Sequence, residues 1–165
     1  MILAPRCFAL VAFAALATAA HGQNASALAT GRFSGSLRGT SFSGVSDATR
    51  YSGSVEIAPM VGRPGLFKVE VRLSSSGGSA MVSATNVLQW SISPGRCGSR
   101  VQFLVPPPEM PPLELRSGGN AEMIWQGTVN LAANAGYQLV VFDRGLRQED
   151  IVACANLKYS EPKAK

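Results

Sequence analysis

Short segments of alternating polar and apolar residues, separated by clusters of glycine, serine, proline and asparagine, run through most of this sequence. The clearest is Leu66–Leu73, where Phe67, Val69, Val71 and Leu73 alternate with Lys68, Glu70 and Arg72. Successive side chains of a strand point to opposite faces, so one face of this segment meets a core and the other meets water. Because no helical period separates these segments, they predict an all-β fold with antiparallel pairing, typical of a sandwich or a barrel.

The same pattern predicts about eight strands. They lie at Phe33–Arg38, Tyr51–Ile57, Leu66–Leu73, Ala80–Ile92, Ala121–Leu131, Tyr137–Asp143 and Ile151–Tyr159, with a further short apolar run at Val101–Val105. Pro106–Pro112 contains five prolines, which cannot donate hydrogen bonds to a sheet. We interpret that segment as a rigid connector rather than a motif that recruits a proline-binding partner.

The N-terminus has the pattern of an export signal. Arg6 precedes an apolar run, Cys7–Ala20, that is too short to span a bilayer but fits a signal-peptide core. Small residues around position 20 suit cleavage near His21–Gln23. We therefore assign residues 1–22 to a signal peptide, 23–31 to a flexible linker, 32–160 to one domain and 161–165 to a polar tail.

These assignments predict an exported protein, periplasmic or extracellular, with no transmembrane segment in its mature form. After loss of Arg6 the mature chain keeps fourteen Lys and Arg against ten Asp and Glu, scattered along its length. Nucleic-acid binders carry a dense basic stripe, which is missing here, so nucleic acid is excluded as a partner. An envelope protein or an anionic envelope polymer is compatible with this charge.

Removal of the signal also removes Cys7 and leaves two cysteines, Cys97 and Cys154, in a chain bound for an oxidising compartment. We predict that they form a disulfide. On the chain-entropy model, closing a loop of 57 positions stabilises the fold by roughly 4 kcal/mol.

Histidine is almost absent, since His21 is the only one and it lies at the cleavage boundary. Four methionines of the mature chain are dispersed and are interpreted as core residues: Met60, Met81, Met110 and Met123. Trp90 and Trp125 lie in alternating segments, which favours core packing over an exposed carbohydrate-stacking platform. The charged loop of Arg144, Arg147, Glu149 and Asp150 is interpreted as a solvated turn.

Three short motifs carry a family resemblance: Trp90-Ser91-Ile92-Ser93, Gly95-Arg96-Cys97-Gly98 and Val152-Ala153-Cys154-Ala155. With their spacing, the segment from Val69 to Leu157 resembles the copper/zinc superoxide dismutase-like superfamily, especially its divergent exported bacterial members. The resemblance implies a Greek-key antiparallel β-sandwich, immunoglobulin-like in architecture, of about eight strands. It also implies a bridge between Cys97, in a loop, and Cys154, in the last strand.

The same resemblance marks where the metal site would be. Ser91 and Ser93 stand where the family's motif has paired copper-binding histidines, and Phe142 stands where a later strand tends to carry another. Neutral serine is a weak ligand for copper or zinc, which select nitrogen and sulfur donors. We therefore expect no metal, no other cofactor and no dismutase activity.

The leading hypothesis is a non-catalytic binding or structural module of the cell envelope. One alternative is an enzyme of unrecognised chemistry that uses carboxylates and arginines of the loops 106–118 and 143–150. Another is a protein that binds an anionic envelope polymer.

Overall fold

A computed structural model describes residues 28–40, 50–76, 87–143 and 145–162. The expected signal peptide, most of the linker, residues 80–86 of the fourth predicted strand, Met81 and Arg144 lie outside these ranges. Within them, no helix is long and apolar enough to cross a membrane.

The described chain forms eight strands and two short 3₁₀ turns. The strands are β1 Arg32–Gly39, β2 Tyr51–Pro59, β3 Leu66–Ser75, β4 Val87–Pro94, β5 Leu113–Glu114, β6 Asn120–Thr128, β7 Tyr137–Asp143 and β8 Ile151–Ser160. The 3₁₀ turns are Pro107–Glu109 and Gln148–Asp150. Seven of the predicted strands overlap observed ones, which confirms the all-β prediction. β5 was not predicted, and the apolar run Val101–Val105 has no regular structure.

All eight strands belong to one antiparallel sheet with the order β5-β4-β7-β8-β1-β2-β3-β6. Its two ends, β5 and β6, lie beside each other across the turn 115–119, where the Arg116 N–H donates to the Asn120 carbonyl over 2.8 Å. The sheet is therefore nearly closed and barrel-like.

This arrangement differs from the two-sheet, immunoglobulin-like sandwich that the resemblance implied. A sandwich requires a break in the ladder between two groups of strands. Here β1 pairs with β8 on one side and with β2 on the other. The ladder therefore runs through all eight strands without dividing into two sheets.

The core fills the inside of the curved sheet. Its largest fully buried side chains are Phe33, Leu37, Ile57, Phe67, Leu73, Leu88, Trp90, Ile92, Leu113, Leu131 and Leu139. The Trp90 indole N–H donates to the Pro111 carbonyl over 2.7 Å. The Trp90 ring packs edge-on against the Trp125 ring, with the centroids 5.9 Å apart. Core packing is thus confirmed for Trp90, with Trp125 partly buried against it. Met110 and Met123 also lie in this core, while Met60 is half-buried.

Gly53 gives a direct test of the sheet's geometry. A Cβ atom added at Gly53 of β2 would collide with the Arg72 carbonyl oxygen of β3. We expect Gly53→Ala to lower the free energy of unfolding by about 2 kcal/mol or more, measured by urea denaturation. Ser52→Ala, at an exposed position of the same strand, is the control and should change it by less than about 0.5 kcal/mol. Equal stabilities of the two variants would contradict this packing.

Candidate functional site

The outer face of β4 and β7, turned away from the core, carries the three positions that the family resemblance singled out. The register pairs Ser91 with Val140, Ser93 with Gln138 and Gln89 with Phe142. Directly paired residues share a face, so Ser91, Ser93 and Phe142 lie on the same side of the sheet. All three are completely buried.

An irregular segment, residues 95–105, covers this face; we call it the cover. Gln102 N–H donates to Ser93 Oγ over 2.9 Å, and the Leu104 N–H donates to the Ile92 carbonyl over 3.1 Å. The Phe103 ring packs against Phe142, with centroids 6.1 Å apart. Val101 and Cys97 pack onto a second apolar cluster made by Val140, Phe142, Ile151 and Cys154. The cover therefore seals this outer face from solvent.

A disulfide between Cys97 and Cys154 holds the cover on β8, with the two Cα atoms 5.9 Å apart. This confirms the predicted pairing. The Cys97 N–H donates to Asn156 Oδ1 over 2.8 Å, which adds a second contact with the same strand. Gln148 ties the cover further, since its side chain accepts from the Val101 N–H and donates to the Ser99 carbonyl, each over 3.3 Å.

The donors on the covered face do not fit copper or zinc. The hydroxyl groups of Ser91 and Ser93 donate to main-chain carbonyls, Ile92 over 3.2 Å and Pro94 over 3.3 Å. Phe142 supplies no donor atom. In the part of the chain that the structure describes, no three His, Cys, Asp or Glu residues form a group that could hold a metal ion. The chemistry of this face is that of a packed interior.

The charged loop before β8 is internally paired. Arg147 contacts Asp150 over 3.1 Å and Glu149 over 3.1 Å. Burial opposes ionisation of the Asp150 carboxyl group, but hydrogen bonds from the Arg147 side chain and backbone outweigh it, so its pKa is lowered. These ion pairs stabilise the turn.

Two cavities within the described residues have no lining residue from the loops 106–118 or 143–150. The smaller, about 290 Å³, lies between Leu28–Thr30 and the β2–β3 turn. The larger, about 670 Å³, is a depression on the outer face of β8, β1, β2 and β3. We call it the serine trough. Its floor carries Ser34, Ser36, Ser54 and Asn156, its rim carries Arg38, Glu56, Glu70, Arg72 and Lys158, and the disulfide borders one end.

Most charges around the serine trough are paired. Arg32 contacts Glu56 over 2.7 Å, Arg72 contacts Glu122 over 3.0 Å, and Lys68 contacts Glu70. The hydrogen bond and positive charge of Lys68, with help from Arg72, lower the pKa of Glu70. Two rim cations, Arg38 and Lys158, make no ion pair with any residue in the described ranges. They leave uncompensated positive charge at the trough.

The serine trough was not among the sites predicted from the sequence, although a repeated motif marks two of its strands. β1 and β2 each contain an aromatic residue, Ser-Gly-Ser and an aliphatic residue, at Phe33–Leu37 and Tyr51–Val55. Alternation places the serines of both copies on the outer face, and the register pairs Ser36 with Ser54.

Comparison of the chain with models of protein families, with curated proteins and with solved structures finds no match. The covered face and the serine trough are therefore the structural basis for a functional proposal.

The disulfide should dominate the stability of the cover. We expect the double variant Cys97→Ala/Cys154→Ala to lose roughly 4 kcal/mol of unfolding free energy, because the bridge closes a 57-residue loop. Hydrogen exchange gives the local readout. The Gln102 amide, bonded to Ser93 Oγ in the cover, should exchange faster relative to the Val141 amide in the sheet. Reduced wild-type protein is the matched control, and unchanged Gln102 protection would contradict the role of the bridge.

Proposed function

We propose that this protein is an exported, metal-free relative of the superoxide dismutase-like superfamily that serves the cell envelope as a non-catalytic binding or structural module. The resemblance in the motifs around Cys97 and Cys154 supports the relationship. The loop position of Cys97 and the last-strand position of Cys154 agree with it. On this proposal the barrel-like sheet is a divergent form of the family's sandwich.

Burial of the covered face is the observation that carries the proposal. A redox metal site needs nitrogen or sulfur ligands and a path by which substrate reaches the metal. Ser91, Ser93 and Phe142 supply no such ligands, and each has 0% exposure beneath the cover. In this protein the position of the family's metal site is part of a second, small apolar core.

Export is supported by two independent features. The apolar run after Arg6 has the length of a signal-peptide core, and a disulfide between the two mature cysteines suits an oxidising compartment. The enzyme alternative gains no support, because Arg147, Glu149 and Asp150 are paired with one another. The alternative of an anionic envelope polymer is favoured by the unpaired cations of the serine trough.

Metal content tests the proposal. Mature protein purified from the envelope should contain far less than one copper or zinc per chain, measured by plasma mass spectrometry. It should also show no dismutase activity after incubation with both metals, because the covered face lacks imidazole ligands. A metal-binding exported dismutase taken through the same purification is the positive control. Stoichiometric metal together with dismutase activity would overturn the proposal.

The intact mass of the same preparation tests export. Cleavage should leave an N-terminus between His21 and Gln23, and a mass that retains Arg6 would contradict the signal-peptide assignment.

A further inference from the structure

The floor of the serine trough is built from small polar side chains in one row across β8, β1 and β2, and the row ends at Arg72 of β3. Ser36 pairs with Ser54, and Ser54 pairs with Arg72. Asn156 lies opposite Ser36, because the register pairs Ser34 with Lys158 on one side of this position and Arg38 with Cys154 on the other. Because these side chains are short, the outer face has a depression of about 670 Å³ where long side chains would otherwise cover the sheet.

Serine and glycine are poor choices for strands on grounds of stability alone. Exposed strand positions favour β-branched and aromatic residues, and glycine in a strand weakens it. Yet β1 carries Ser34-Gly35-Ser36 at the trough, and β2 contributes Ser54 from its own Ser-Gly-Ser motif. The central glycines, Gly35 and Gly53, lie where a Cβ would collide with the backbone of the neighbouring strand. Departures from local preference of this kind concentrate at functional sites, where a binding surface accounts for them.

Two cations that make no ion pair with any described residue lie at opposite ends of this floor. Lys158 pairs in register with Ser34, and Arg38 lies four residues further along β1. At about 3.3 Å per residue, the two positions are roughly 13 Å apart along the strand direction. Arg96, exposed beside Cys97, adds a further positive charge at the disulfide end. The trough is therefore elongated, with positive charge at both ends.

Hydrogen-bond donors lie on the floor of the serine trough between these two cations. The Cys97 N–H occupies Asn156 Oδ1, which leaves the amide NH₂ of Asn156 as a donor. Hydroxyl groups of the floor serines can both donate and accept. Val55, the large aliphatic residue that borders the trough, is 2% exposed and offers no apolar anchor. Protein segments bind through buried aromatic or aliphatic anchors, so a peptide fits this surface poorly.

From this geometry we propose that the serine trough binds a segment of an acidic polysaccharide. Two anionic sugar groups lie against Arg38 and Lys158, and the hydroxyl groups between them bond to Ser36, Ser54 and Asn156. This inference rests on the proposed binding function and names its site and its ligand class. Acidic polysaccharides from the cell's own envelope and from surfaces that the cell meets have this chemistry in common.

Charge-matched variants of the mature protein test the site. The probe is an oligomer of galacturonic acid, and its affinity is measured by calorimetry at low salt. Arg38→Gln/Lys158→Gln should weaken binding by about tenfold or more, because both anchoring charges are lost. Arg63→Gln/Arg100→Gln removes the same charge from exposed arginines outside the trough and should stay within about twofold of wild type. Equal affinities of the two double variants would overturn the proposal.

A steric variant separates shape from charge. Ser36→Tyr fills the floor without changing charge and should also weaken binding at least about tenfold. Gln126→Tyr, at an exposed position of β6, is its control, and thermal unfolding verifies that both variants fold. Wild-type affinity in folded Ser36→Tyr would place the ligand elsewhere and overturn the proposal.

Two further probes test the ligand class. Polyglutamate has carboxylates without hydroxyl groups and should bind at least about tenfold more weakly than the sugar oligomer. The methyl-esterified oligomer has hydroxyl groups without charge and should not bind detectably. Polyglutamate binding of equal strength would overturn the polysaccharide class in favour of an acidic peptide.

Metal analysis of the same preparation keeps the two proposals apart. Stoichiometric copper or zinc with dismutase activity would overturn the proposed function alone. Metal-free protein that fails to bind the oligomer would overturn the inference about the trough alone. Affinities measured with oligomers of envelope polysaccharide and of other acidic polysaccharides then identify the source of the ligand.

Discussion

The bond between Cys97 and Cys154 is the constraint on which the outer architecture depends. Residues 95–105 form no ladder with the sheet, so their place over β4 and β7 rests on this bridge and a few hydrogen bonds. The bridge buries the serines at 91 and 93. Through the Cys97 N–H it also orients Asn156, which lies on the floor of the serine trough. The disulfide thus lies between the covered face of β4 and β7 and the open serine trough.

Local pattern predicted the strands because alternation records which side of a segment is buried. β3 was predicted with high accuracy for this reason, and it pairs along its whole length with both β2 and β6. β5, with two residues, is too short to have a period. Val101 and Phe103 pack against the covered face, and Leu104 and Val105 pack against the main core. The composition of this run therefore resembles that of a strand while its backbone is irregular. The cysteine pair was predictable by elimination, because the expected loss of Cys7 with a signal peptide leaves no other partner.

Closure of the sheet and the serine trough were not predictable from local pattern. Both depend on which distant strands become neighbours, and alternation says only which face a residue occupies. Arg38 and Lys158 are 120 positions apart in the sequence and become members of one surface through the pairing of β1 with β8. The repeated Ser-Gly-Ser was visible in the sequence, but its meaning required the register that sets Ser36 beside Ser54.

Serine has opposite roles on the two outer faces, and the difference explains where binding can occur. Under the cover, Ser91 and Ser93 donate to adjacent carbonyls and are withdrawn from solvent. On β1 and β2, Ser36 and Ser54 are exposed and lie beside charges. Exposed ion pairs already neutralise Glu56 and Glu70, so an incoming anion meets Arg38 and Lys158 without competition from those carboxylates. A surface that binds through such exposed charges is sensitive to salt and needs hydroxyl contacts for specificity, which is what the serine floor supplies.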